Sequence, residues 1–127
     1  MKTTKLKIGK RIFALAFNLN AMEEMQNTIQ DFDMSKLSDY VRTPGGMKDM
    51  ITILARQGEY LEGRTLDVDR EWIGAHIPPS QVKITEIHVA LLNCLSDGLA
   101  METENDDEQG EVDVVLEELK KKEPKAD

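Results

Sequence analysis

Two histidines, one cysteine, a Gly-Gly pair and two Asp-x-Asp clusters are the residues of this chain whose types could do chemistry. A general base near neutral pH, or a zinc ligand, is most often a histidine. His76 and His88 fall on different predicted helices, and neither belongs to an H-E-x-x-H or comparable ligand spacing. His88 lies on an apolar stripe with Leu91, Leu92 and Leu95, which predicts a core-edge histidine satisfied by a hydrogen bond. His76 stands just before Ile77-Pro78-Pro79, where it would cap a helix end. Cys94, flanked by Leu92 and Leu95 with no basic group predicted beside it, reads as a small hydrophobe and not as a nucleophile. A lone cysteine also forms neither an internal disulfide nor a cysteine-based zinc site. Gly45-Gly46 lacks both phosphate-loop patterns, G-x-x-x-x-G-K-[ST] and G-x-G-x-x-G, and reads as a breaker between helices. Asp31-Phe32-Asp33 and Asp67-Val68-Asp69 do not continue into a calcium loop and read as helix caps. No nucleophile, base and orienting group assemble from these residues, so the expectation is a non-enzyme with no catalytic residue, no cofactor and no metal.

The elements that must position these side chains belong to a chain of 127 residues, 40% hydrophobic and 31% charged. That is the size and composition of one globular domain with an appendage. The net charge of -8 is unevenly spread: residues 101 to 127 hold 11 acidic and 4 basic side chains, while residues 1 to 100 hold 13 and 12. The body is nearly neutral and the tail carries the acid. Neither part has the concentrated Lys/Arg surface from which nucleic-acid affinity derives by counterion release, which disfavours nucleic acid as a partner. No apolar run approaches the roughly 18 residues that cross a bilayer, and the basic start is followed by alternation and not by a signal-peptide block. The expectation is a cytoplasmic protein without a membrane partner.

The predicted fold is mostly α with a small N-terminal β-hairpin, an α+β helical bundle over residues 1–100 followed by an acidic flexible tail. Over about 5–17, alternation on either side of Gly9-Lys10 predicts a two-residue turn pairing Ile8 with Arg11 and Leu6 with Phe13. Leu6, Ile8, Phe13, Leu15 and Phe17 then share one face. Helices are predicted from Asn18 or Asn20 to about Gln30, over a short turn from Ser35 to Val41 with Ser35 as its cap, from Met47 to about Leu61, and over Val68–Ile77. The strongest apolar pattern runs from Gln81 to Leu99 and covers more than half of the helix circumference, which places that helix at the centre of the bundle. Residues 101 to 110 are too charged to fold alone and read as a linker. Beyond it, over about 111–122, Val112, Val115, Leu116 and Leu119 recur at helical spacing, acidic residues leading and Lys120-Lys121-Lys122 closing.

Two features point to binding. Met22, Met25, Met47 and Met50 fall on the apolar faces of two helices, where thioethers serve either as core filler or as an adaptable contact surface. The amphipathic C-terminal segment either docks on its own body or awaits a partner. The order of elements adds a third indication: the hairpin K-L-K-I-G-K-R-I-F-A-L-A-F, then N-L-N-A-M-E-E-M at once into a helix, further helices, a W-I-G-x-x-I-P-P punctuation and an acidic tail. This layout resembles the tail assembly chaperones of long-tailed bacteriophages and prophages over residues 5 to about 99. The resemblance implies a protein of the bacterial host cytosol, absent from the finished virion. Its partner would be the tape measure protein, kept soluble while tail tube protein polymerises around it. The resemblance also implies no cofactor and no catalysis, and it brings the expectation of a longer frameshifted form; self-association into a homo-oligomer stays open. On this reading Met22, Met25, Met47 and Met50 are candidates for client contact, and Val112, Val115, Leu116 and Leu119 for a tail interaction. The alternatives are a tail-completion or connector subunit that stays in the particle, and an acidic regulatory adaptor whose tail occupies a basic groove.

Overall fold

Gly9 takes a φ of 63°, as the first position of a two-residue hairpin turn requires, and the strands on either side pair antiparallel. They are β1 (Thr4–Ile8) and β2 (Arg11–Leu15), with Ile8 opposite Arg11 and Leu6 opposite Phe13, the predicted register. Leu6, Ile8, Phe13, Leu15 and Phe17 are all buried, so the ribbon presents one apolar face to the rest of the molecule. The computed structural model describes residues 2–107, with side chains as far as Leu99.

Five helices follow, and Asn18, Thr43 and Asp69, side chains that the sequence supplies, cap the first, third and fourth of them. Helix α1 (Leu19–Thr28) begins after Asn18, whose Oδ1 accepts the Ala21 N–H at 3.0 Å. A 3-10 turn (Met34–Lys36) leads into the single-turn helix α2 (Leu37–Tyr40). The cap there is Asp33 and not Ser35, two residues earlier: the Asp33 carboxylate accepts the Ser35 N–H at 3.0 Å and its hydroxyl at 2.9 Å. Helix α3 (Pro44–Leu61) opens with Thr43 Oγ1 accepting the Gly46 N–H at 3.0 Å and with proline in its first turn, where the missing N–H costs nothing. Gly45-Gly46 is therefore the start of α3 and not a breaker. The end of α2 passes so close that a Cβ on Gly46 would collide with the Tyr40 carbonyl. Helix α4 (Arg70–Ala75) is capped by Asp69, which accepts the Trp72 N–H at 2.9 Å, and α5 (Gln81–Asp107) begins after Pro78-Pro79. Helix α5 continues past the Leu99 end expected for it and takes in the first part of the stretch read as a linker. Ala100, Met101 and Glu102 are good helix formers, and no glycine or proline intervenes before Gly110. The predicted segment at about 111–122 lies outside the described residues.

The central helix is α3 and not α5. Helix α3 packs against β2, α1, α2, α4 and α5, and it buries Met50, Ile51, Ile53, Leu54 and Ala55 around much of its circumference. Helix α5 lies at one side, against β1 and α3. The apolar breadth that pointed to the centre of the bundle has a different cause, described below.

One contact explains how a two-stranded ribbon, marginal by itself in water, is held. The outward-facing N–H groups of β2 and the residue after it are taken by α3: Ala14 N–H donates to the Glu59 carboxylate at 2.8 Å, and Ala16 N–H donates to the Leu54 carbonyl at 3.0 Å. The approach is so close that a Cβ on Gly58 would overlap the Ala14 backbone. Gly58, a liability for helix propensity in the sequence, is the place where strand and helix touch. On the opposite edge, Lys83 Nζ of α5 donates to the Lys7 carbonyl at 3.0 Å. A helix therefore supplies hydrogen-bond partners to each edge of the ribbon, which limits its capacity to recruit a further strand.

Candidate protein-binding surface

The four methionines do not form one exposed patch. Met25, Met47 and Met50 are buried in the core cluster and Met22 is partly buried against it, because α1 and α3 pack with these faces toward each other and toward the hairpin. The exposed client-contact patch expected of Met22, Met25 and Met50 is therefore corrected to core packing, the alternative that the pattern had left open, while Met47 is part of the lining of an open groove. Val112, Val115, Leu116 and Leu119 lie outside the described residues.

Most of the residues weighed for chemistry have structural partners, and His88 is the exception. Burial pushes the Cys94 thiol up to about 12, with Asp97 adding to the effect and a hydrogen bond involving Thr4 opposing it, so it stays a neutral thiol at neutral pH. His76 ends α4, stacks on Trp72 with ring centroids 4.0 Å apart, and places Nδ1 2.8 Å from the Trp72 carbonyl. Trp72 in turn meets Phe13 edge-on at 5.8 Å, and Arg11 lies over the Phe13 ring while pairing with Asp67 at 2.7 Å. Asp33 and Asp69 are caps, as read from the sequence. His88 departs from its reading: its Nε2 is enclosed without a hydrogen-bond partner among the described residues.

Glu59 is the one buried carboxylate of the described residues, 5% exposed. Arg64 holds it at 2.7 and 3.1 Å and keeps its pKa below the ordinary value; the Ala14 N–H adds to this, against the desolvation that opposes it. Glu62, joined to Lys5, Thr3 and Arg64, is lowered to about 2, chiefly by Lys5. These carboxylates fasten the hairpin to the end of α3. Among the described residues no group of three His, Cys, Asp or Glu stands close enough to hold a metal ion, and no helix is long and apolar enough to cross a membrane.

Two apolar surfaces remain, and neither was singled out in the sequence. The first is a half-open groove of about 460 Å³ between α3, α4 and the start of α5. Met47, Ile51, Ile77, Pro78, Pro79 and Ile84 line it, with Lys48 and Glu71 the charged residues among its lining. Its volume is that of a small-ligand site, but a site that orients a small molecule needs several convergent polar groups, and these walls are largely apolar. Apolar walls suit an inserted side chain of another polypeptide. The signal available in the sequence is Ile77-Pro78-Pro79. Two prolines in a row stiffen the chain that forms one wall.

The second surface is the outer face of α5. Val82, Val89, Leu92 and Leu99 are 72%, 51%, 37% and 48% exposed, and Thr85, Asn93 and Ser96 lie exposed among them. Ile87, Leu91, Cys94 and Leu95 face the core from the other side. The stripe that joined Leu91, Leu92, Leu95 and Leu99 in the sequence thus divides between two faces, and an amphipathic helix with a second apolar face is what looked like a central one. The recurrence of Val82 and Val89, and of Leu92 and Leu99, at seven residues was the available signal. No family model, curated protein or solved structure matches the chain.

Proposed function

We propose that this chain is a non-catalytic binding protein that holds an apolar segment of a partner polypeptide, and that it serves as a tail assembly chaperone whose client is a tape measure protein. The observation that carries the reading is the half-open groove with walls of Met47, Ile51, Ile77, Pro78, Pro79 and Ile84. A groove of this size accepts one or two large apolar side chains of a helix, the contact by which helix-in-groove recognition gains its affinity. Met47, in the lining of this groove, is a side chain that adapts to differing occupants. The client class comes from the layout resemblance over residues 5 to about 99, and the groove supports it by offering a place for an exposed helix to be covered.

Ala75 is exposed on the groove wall and outside the core, so Ala75→Arg blocks the groove without disturbing the fold. Co-expression of tape measure protein with the wild-type chain is expected to keep the client in the soluble fraction. With Ala75→Arg the client should precipitate while the variant retains its circular dichroism and melting temperature. A client that is equally soluble with both proteins removes the groove from the reading, and a client that stays insoluble with the wild type removes the function. Mass spectrometry of purified virions provides a second check, since a chaperone is missing from them and a connector subunit is present.

A further inference from the structure

The outer face of α5 carries a periodicity that a core-facing helix does not need. Val82, Thr85, Val89, Leu92, Ser96 and Leu99 follow one another at alternating steps of three and four residues, a 3.5-residue period, and all six are exposed. That is the seam of a two-stranded helical pair. The core-facing residues Ile84, Ile87, Leu91 and Cys94 lie on the opposite side of the helix, so the seam is accessible along the whole of its length.

We propose that this face is an interface between two copies of the chain, with α5 pairing antiparallel to α5 across a two-fold axis. The argument is self-complementarity, which an isologous interface demands. In the antiparallel register Val82 meets Leu99 of the second copy, Val89 meets its Leu92, and Thr85 meets its Ser96. Each apolar side chain then has an apolar partner and each hydroxyl has a hydroxyl. At the flanks Glu86 faces Asn93 of the second copy, so no like charges oppose one another there. Charge also selects the direction. Residues 101 to 127 hold 11 acidic and 4 basic side chains, and a parallel pair would set both of these segments at the same end. The antiparallel pair starts them about 30 Å apart along the paired helices, well beyond the screening length at physiological salt. A seam of this length buries on the order of 1,000 Å² in total, the lower end for specific association, so the dimer is a weak one. This interface is a different surface from the groove, and its test uses the protein alone, so the two readings fail separately.

The full-length protein is expected to pass from monomer to dimer with rising concentration in sedimentation equilibrium. Val89→Lys, at the centre of the seam and away from the core, should weaken the dimer about tenfold or more without altering the melting temperature of the monomer. Thr85→Val with Ser96→Leu should tighten it. Mixing Glu86→Cys protein with Asn93→Cys protein should give intermolecular disulfides between the two species, whereas each alone should cross-link poorly. Efficient cross-linking of Thr85→Cys protein to itself would mean a parallel pair, in which the two Thr85 positions share one layer of the seam, and would overturn the proposed geometry. A wild-type protein that stays monomeric at millimolar concentration would overturn the interface. If Leu116→Asp with Leu119→Asp converts such a monomer into a dimer, the occupant of the face is the chain's own C-terminal segment.

Discussion

Glu59 shows how a single side chain joins helix to strand. Its carboxylate accepts from Ala14 N–H and from Arg64, and at 5% exposure it is stable only because both partners are present. Glu59→Gln removes the charge while keeping the shape, and it should cost about 2 kcal/mol near neutral pH, read from urea unfolding. The sign of the pH dependence follows from the lowered pKa. A carboxylate whose folded value lies below its unfolded one contributes its full stabilisation above the ordinary carboxylate range and loses it as pH falls through the folded value. The gap between wild type and Glu59→Gln should therefore close in acid. A gap that stays constant from neutral to strongly acid solution would show that the charge on Glu59 is immaterial. Glu62, with its pKa lowered to about 2 chiefly by Lys5, acts in the same direction, so the attachment of the hairpin to α3 weakens as the solution is acidified.

At the scale of elements, the contact between β2 and α3 decides more than the propensity of either. Glycine in a helix interior is ordinarily destabilising by about 1 kcal/mol relative to alanine, so Gly58→Ala would stabilise an isolated helix. Here the added Cβ would overlap the Ala14 backbone, and the strand or the helix must move. The expected result is a net loss of about 2 kcal/mol, with a lower thermal midpoint, since overpacking outweighs the propensity gain. A rise in the midpoint would mean that strand and helix are less closely apposed than described. Much of this level was legible in the sequence. Alternation and the Gly9-Lys10 turn predicted the hairpin register residue by residue, and Asn18 and Asp69 announced their helices, because these signals act over a few neighbouring residues. Gly46 reads as a breaker and Gly58 gives no local signal for the converse reason. Their role depends on what passes over them, Tyr40 in one case and Ala14 in the other.

For the whole molecule, the hairpin is held at its edges as well as on its apolar face. Helix α3 takes the Ala14 and Ala16 N–H groups, and Lys83 of α5 reaches the Lys7 carbonyl. Amides on an unpaired strand edge exchange with solvent quickly, whereas those closed by a packed helix exchange only when that packing opens. The Ala14 and Ala16 amides should accordingly exchange as slowly as those of Leu54 and Ala55 in the centre of α3, measured by hydrogen exchange with NMR detection. Exchange at the rate of an exposed loop would show that the ribbon is not fastened to α3 in solution.

Periodicity, capping chemistry and charge distribution determined from sequence alone that this is a mostly helical chain with an N-terminal hairpin. They also determined which faces of the elements are apolar. What they left undecided is which apolar face meets another element, because a side chain's periodicity records its direction on its own helix and nothing of what stands opposite. The tertiary structure decided that Met25, Met47 and Met50 are core, that α3 and not α5 is central, and that α5 keeps a second apolar face exposed. It also brought Met47, Ile77 and Ile84, distant along the chain, to one groove. Packing of distant segments creates such surfaces, and the order of residues within any one segment does not contain them.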